Sequence, residues 1–191
     1  MSVSVLYMSM SLDGYIAGPN DEPGNAGGDG FNRLHQWFGE GEAVQPSGPA
    51  RELIDEYTTT GAVLAGRRTA EQVGHYGGEH HGVPIFVVSH RPPGPEVANY
   101  PLVTYVTDGI ETAMAQAKAA AGDQDVLVHG AYTAQRALEA GVLDEIQIHQ
   151  IPVLFGGGVR QFDVLPSRIE LDIVRVIDTP EATHIRYRVV R

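Results

Sequence analysis

Three strand-like runs in this chain end in short polar signatures. Val63-Leu64-Ala65 meets Gly66-Arg67-Arg68-Thr69, Val87-Val88 meets Ser89-His90-Arg91, and Leu127-Val128-His129 meets Gly130-Ala131-Tyr132-Thr133. A glycine between strand and helix leaves the first helical N–H groups unpaired and open to a ligand's oxygens. Guanidinium groups add bidentate donors suited to phosphate. Helix starts ordinarily carry acids, because the macrodipole is positive there; the start after Gly66 carries two arginines in a chain of formal net charge -11. Ser89, His90 and Arg91 together suit a terminal phosphate monoester, and the backbone at Gly130 can line a pyrophosphate. Each signature also has a plainer reading: arginines paired with surface acids, a solvated turn before Pro92-Pro93, an ordinary strand-to-helix turn. Taken together the three point to an extended ligand with several phosphates. None matches the Walker A pattern or Gly-x-Gly-x-x-Gly, which disfavours a nucleotide kinase or a common dehydrogenase.

Other residues are candidates for the reacting end. Asp13, in Ser11-Leu12-Asp13-Gly14, is the candidate catalytic residue: it anchors a polar substrate or relays a proton, or else caps its own turn. Phe155-Gly156-Gly157-Gly158 either lies flat against a planar ligand or makes a flexible turn. Trp37 reads as core or pocket wall. The eight histidines invite a metal, but Glu79-His80-His81 lies among glycines and His-Glu-x-x-His is absent, so no metal is expected. With no cysteine in the chain, disulfides, thiol nucleophiles and Cys-ligated zinc are excluded.

The elements that must position these residues follow from periodicity. At 191 residues, 42% hydrophobic and 19% charged, the chain reads as one ordinary globular domain, 1–191. A pI near 5.0 argues against nucleic acid and anionic membrane surfaces as partners. No apolar run is long enough to span a membrane and the N-terminus does not resemble a signal peptide, so a cytoplasmic location is expected. Val3–Leu12 reads as a buried strand, followed by a long glycine-rich loop over 18–30, one or two helical turns over Phe31–Phe38, loop over Gly39–Gly48 and a helix over Ala50–Thr58. Strands are expected at Ala62–Ala65, Val83–Ser89, Leu102–Val106, Asp125–Val128 and Glu145–Ile151, with helices at 67–73, 109–121 and 132–140. Ile169–Ile177 and Thr183–Val190 read as an antiparallel edge hairpin around Asp178-Thr179-Pro180. The alternation predicts an α/β fold: three layers, with a mixed, mostly parallel sheet.

The chain resembles the dihydrofolate-reductase-like family related to the reductase domain of the bifunctional riboflavin-biosynthesis deaminase-reductase. The resemblance is carried by Met8–Gly18, Gly28-Asp29-Gly30, Arg33–Trp37, Gly66–Thr69, Val128–Ala131, Gly141–Glu145, Pro152–Gly158 and Thr183–Tyr187, in order along nearly the whole chain. It implies a dihydrofolate-reductase-like fold, NADPH as cofactor and a homodimer. It implies that Gly66, Arg67, Arg68 and Thr69 sit on the cofactor's phosphates, and that Ser89, His90 and Arg91 grip the adenosine 2′-phosphate. Gly130, Ala131, Tyr132 and Thr133 would back the pyrophosphate, Ser9, Ile16 and Ala17 would touch the nicotinamide, and Asp13 would lie near the reacting end. Trp37, Phe155, Gly156 and Gly157 are taken as substrate-side residues. Two departures stand out. His129 replaces the first glycine of the family's usual Gly-Gly-Ala, and Phe31–Phe38 lacks the acid with which folate reductases hold the pterin. The expectation is therefore a stand-alone NADPH-dependent reductase, with 5-amino-6-(5-phosphoribosylamino)uracil as best substrate. The alternatives are another small carbonyl or imine, dihydrofolate weakly among them, or an NADPH-binding dimer without catalysis.

Overall fold

Runs of Val, Ile, Leu and Ala between glycine-bounded turns give ten strands in a computed structural model that describes residues 2–39, 48–163 and 165–191. The expected loop over 39–48 lies outside the described residues except at its ends. Eight strands form one mixed sheet in the order β5-β4-β3-β6-β1-β7-β10-β9, and two form a small ribbon, β2-β8. The chain groups into two compact units, Met1–Leu6 with Thr59–Glu145 and Tyr7–Thr58 with Ile146–Arg191.

The first unit is the parallel one. Strands β3 (Ala62–Gly66), β4 (Ile85–Val88), β5 (Val103–Val106) and β6 (Val126–His129) pair in parallel, and the start of β1 (Ser4–Ser11) joins β6 through Ser4↔Val126. Val63, Leu64, Ile85, Val87, Val126 and Val128 have no exposed surface. Each such burial contributes roughly 1.5–3 kcal/mol. The expected strand over 83–89 shortens to β4 because Pro84 has no N–H to give a ladder; its carbonyl still accepts from Val63. Helices α2 (Arg67–Gln72), α3 (Ile110–Ala121) and α4 (Ala131–Glu139) lie within a residue or two of expectation. Helix α4 stops at Gly141, φ +68°, where Gly141 N–H donates to Leu138 O and Val142 N–H to Ala137 O, a two-bond αL termination.

The second unit is aromatic and partly antiparallel. It holds two single-turn 3-10 elements (Phe31–Leu34, Gln36–Phe38), helix α1 (Pro49–Thr58), most of β1 and β7 (Glu145–Ile151), and the hairpin β9 (Leu171–Asp178) with β10 (Thr183–Val189). The ribbon of β2 (Tyr15–Ala17) with β8 (Val159–Arg160) has no counterpart in the periodicity. A glycine permits it: at Gly158, φ +121°, a Cβ would sit 2.0 Å from Ala17 O. Among the described residues no helix is long and apolar enough to cross a membrane.

Candidate functional site

In the first unit the tips of β3 and β6 lie side by side, with Ala65 opposite His129. Each turn is seated on the next by a threonine. A Cβ on Gly66 would lie 2.6 Å from Thr133 Oγ1, and one on Gly130, φ +93°, would lie 2.6 Å from Thr69 Oγ1. Only glycine at both places lets the two turns approach this closely. Neither helix start has a side-chain cap or an acid in its first turn. Two neighbouring sets of helical N–H groups therefore stand uncapped by their own side chains.

The predicted cationic residues divide in two. Arg67 is committed: its Nε donates to Glu71 Oε1 at 2.6 Å and its Nη1 to Pro92 O at 2.9 Å, with the guanidinium 5.7 Å from the Tyr105 ring centre. Ser89 is committed too; its Oγ donates to Arg91 O and accepts from Arg91 N–H, closing a turn. That turn leaves His90 and Arg91 exposed at the tip of β4, and Arg68, in the first turn of α2, is exposed as well. Tyr132 is exposed, with Arg136 stacked on its ring. Gly66, Thr69, Gly130, Ala131 and Thr133 thus form the two turns, while Arg67 and Ser89 shape the segment that carries His90 and Arg91.

The His129 side chain has its partner outside the Gly130 turn. Its Nδ1 pairs with Tyr76 Oη at 2.9 Å. Tyr76 comes from a left-handed turn in which His75 (φ 53°), Tyr76 (φ 57°) and Gly77 (φ 71°) follow one another. Such backbone costs roughly 1–2 kcal/mol for each non-glycine residue. Here it delivers two side chains, since His75 Nε2 also meets Tyr105 Oη at 2.8 Å.

In the second unit Asp13 acts as a clamp. Its carboxylate accepts from Ser11 Oγ at 2.6 Å, Gly156 N–H at 2.7 Å and Phe155 N–H at 3.1 Å. The Ser11 bond first, then those from Gly156 and Phe155, hold its pKa down to about 2. An acid that strong stays ionised at neutral pH and donates no proton. Asp13, Phe155 and Gly156 are brought together by a backbone-holding contact; Gly157 follows in the same loop. Ile16 and Ala17 lie in β2, half-buried and buried respectively.

Ser9 and Trp37 also meet: Trp37 Nε1 donates to Ser9 Oγ at 2.9 Å, both side chains being buried. Trp37 stacks on His149, ring centres 4.1 Å apart, and Tyr7 packs 4.3 Å from the same imidazole. His149 has no exposed surface, and its Nδ1 lies 2.7 Å from Nδ1 of His184, itself 1% exposed. Burial first, and the neighbouring imidazole second, push His149 well below the usual histidine range; burial lowers His184 to about 4. Both are neutral at pH 7.

One proton joins the two Nδ1 atoms, one ring donating and the other accepting. The His184 ring is braced on its far side by Thr179, whose Oγ1 lies 3.3 Å from Nε2 and accepts from Ala182 N–H. Sequence reading missed both histidines. The cue was in β7, where Gln147 and His149 alternate with Ile146 and Ile148; the alternation suggests a wet face, yet Gln147 and His149 are 1% and 0% exposed. Among the described residues no group of three His, Asp or Glu side chains converges as a metal site.

Known proteins share this architecture. Residues 4–185 match the family model of the RibD C-terminal domain. The uncharacterized protein YwjB of Bacillus subtilis is 25% identical over 189 residues, 96% of each chain. A putative riboflavin biosynthesis protein from Shewanella sp. PV-4 superposes with a TM-score of 0.77 at 22% identity over 99% of both chains. The Thermotoga maritima diaminohydroxyphosphoribosylaminopyrimidine deaminase/5-amino-6-(5-phosphoribosylamino)uracil reductase gives 0.60 at 13% identity; 99% of this chain spans 57% of that one. Enterococcus faecalis dihydrofolate reductase, complexed with NADP(H), gives 0.59 at 15% identity over 100% and 97%. With its mixed α/β sheet and a family match running almost end to end, the chain belongs to the RibD C-terminal domain family.

Proposed function

We propose that the protein is an NADPH-dependent reductase of a small heterocyclic or sugar-linked substrate, with 5-amino-6-(5-phosphoribosylamino)uracil as the best candidate. The observation that carries this reading is the pair of interlocked, uncapped helix starts at Gly66 and Gly130, with His90 and Arg91 exposed on the neighbouring strand tip. These residues fit a dinucleotide's phosphate end. The backbones of Gly66–Thr69 and Gly130–Thr133 would take the pyrophosphate, and His90 and Arg91 the 2′-phosphate. Arg67 orders the turn that presents them. When bound, the cofactor supplies the hydride.

In the second unit the chain's part is positioning. Asp13 stays ionised and fixes the Phe155–Gly156 backbone, which is placed on the substrate side together with Trp37 and Gly157. Ser9, Ile16 and Ala17 keep the nicotinamide-side role that the resemblance gives them. The uracil substrate is supported by family membership and by the reductase activity for which the Thermotoga maritima protein is named. The expected homodimer remains part of the proposal, and sedimentation velocity tests it.

The deciding experiment is a fluorescence titration with NADPH and NADH. Preference for NADPH, lost in Arg91→Ala, supports the reading; equal weakening of both cofactors removes Arg91 from the 2′-phosphate. Oxidation of NADPH on addition of the uracil intermediate then tests turnover. Tight NADPH binding without turnover would favour a different carbonyl or imine substrate, or a binding protein.

A further inference from the structure

The hairpin of β9 and β10 has one covered face and one bare face. Arg186 opposes Arg175 in the antiparallel register, and both guanidinium groups reach Glu56 of α1, which packs on that side. His184 points the same way, towards Trp37 and His149. Side chains alternate along a strand, so the intervening positions face the other way. There Ile185 opposes Val176, Tyr187 opposes Ile173 and Val189 opposes Leu171. None of these six carries a charge. Ile173 is 67% exposed, Val176 55% and Leu171 39%. Beside this ridge runs a groove lined by Ile185, Tyr187 and Leu171, with Ile146 and Ile148 of β7 as its buried floor and Met10 of β1 at its wall. Ridge and groove belong wholly to the second unit. Four of the nine large apolar side chains that stand exposed among the described residues fall in β9 alone.

Single exposed apolar residues are ordinary on a protein surface; a contiguous patch beside a groove marks a contact. The chemistry of the patch selects the occupant. It offers no charge to a nucleic acid, a charged peptide or a lipid headgroup. A second copy of this chain carries the same formal charge of -11, and two such copies meet best through a face that contributes none of it. Shape points the same way. Ridge and groove lie side by side, so a two-fold axis between them seats each copy's ridge in the other's groove. We propose that this face is the isologous contact of a homodimer, sheet packed upon sheet. The inference rests on the homodimer in the reading above and names its surface. Strand β9 ends the sheet, so its outer edge is open too, and edge-to-edge pairing is the competing arrangement. The register shift between Arg186 and Tyr187, which leaves Val174 with no opposite number, bends β9 and works against a continuous edge ladder.

The test is sedimentation velocity on the intact protein and on Ile173→Lys, over a range of concentrations. The unaltered chain should sediment at twice its 20.6 kDa. Ile173→Lys should weaken the dimer by about a hundredfold or more, because two-fold symmetry buries the new charge twice. Its far-UV circular dichroism should match the parent, since the side chain is exposed in the single chain. Val73→Lys, a like change at an exposed apolar residue of the first unit, should stay dimeric. A dimer that survives Ile173→Lys, or that Val73→Lys dissociates equally, overturns the face and leaves the homodimer standing. A parent that is monomeric throughout removes both. Species that grow beyond the dimer would mean an open, non-closing contact and also overturn the proposal. Should Ile173→Lys not fold, thiol labelling decides. The chain has no cysteine, so Ile173→Cys carries a single thiol. A bulky maleimide should label it slowly in concentrated solution and quickly on dilution, while Leu154→Cys labels quickly in both; equal rates at position 173 overturn the face. The NADPH titration stands apart: its failure would remove the cofactor reading without touching this contact.

Discussion

The two units handle polarity in opposite ways. The first displays it: His90, Arg91 and Arg68 stand exposed at strand tips, where water carries most of their solvation and a diffusing anion can find them. The second buries it. His149, His184, Ser9 and Trp37 are buried together, where an unpaired polar atom is expensive. Exposed charge tolerates imprecision, because mobile cationic side chains can adjust to an anion. Buried neutral groups cannot adjust, so they hold one arrangement. Attraction and internal order thus call for different surroundings.

The largest effect that can break this contrast is acidification. His184 is held at about 4 against an ordinary 6.5. Below pH 6.5 the unfolded chain takes up a proton that the folded chain refuses until about pH 4. Stability is therefore full above 6.5 and falls as pH drops towards 4, by up to ~3 kcal/mol for this group. His149 adds in the same direction. Urea titrations at pH 7, 6 and 5 measure it; a flat profile between 6.5 and 5 would mean that the pair is not buried neutral. Next in size is Glu56→Gln. Glu56 takes a bidentate pair from Arg175 at 2.5 and 2.7 Å and a longer one from Arg186. Losing it leaves two half-buried guanidinium groups without their carboxylate, a cost of about 2 kcal/mol in thermal or urea melts, reduced from the fully buried case by solvent.

The exposed region should respond more mildly. Arg91→Ala is expected to weaken NADPH by about tenfold, ~1.4 kcal/mol, with little change in folding stability. Added salt should weaken the cofactor in the parent protein more than in the variant. Smallest is Glu71→Gln, which loosens the i,i+4 pair with Arg67; about 0.5 kcal/mol or less is expected in the melt. An effect as large as that of Glu56→Gln would show the strand-tip arginines to be structural after all, and the contrast would fail.

The sequence made the displayed region readable and hid the buried one, for a physical reason. Strands β3, β4 and β6 and helices α2 to α4 are marked by apolar runs and by the glycines at 66, 130 and 141, each set locally. The Asp13 turn was visible as a turn, but its hold on Phe155 and Gly156 joins residues 142 and 143 positions apart, which no local pattern reports. The β2-β8 ribbon is of the same kind. His149 was the hardest, because a polar residue alternating with isoleucines looks like a wet strand face. Only tertiary placement under Trp37 and Tyr7 turns it into an interior base. The left-handed turn at His75 and Tyr76 runs against local preference altogether, and two long-range hydrogen bonds hold it there.

Trp37 is the chain's single tryptophan, and it rests on His149. The protein thus has an optical gauge wired to its most protected imidazole. Protonated imidazole quenches indole emission, so the fluorescence of the unlabelled protein should dim when a proton reaches His149.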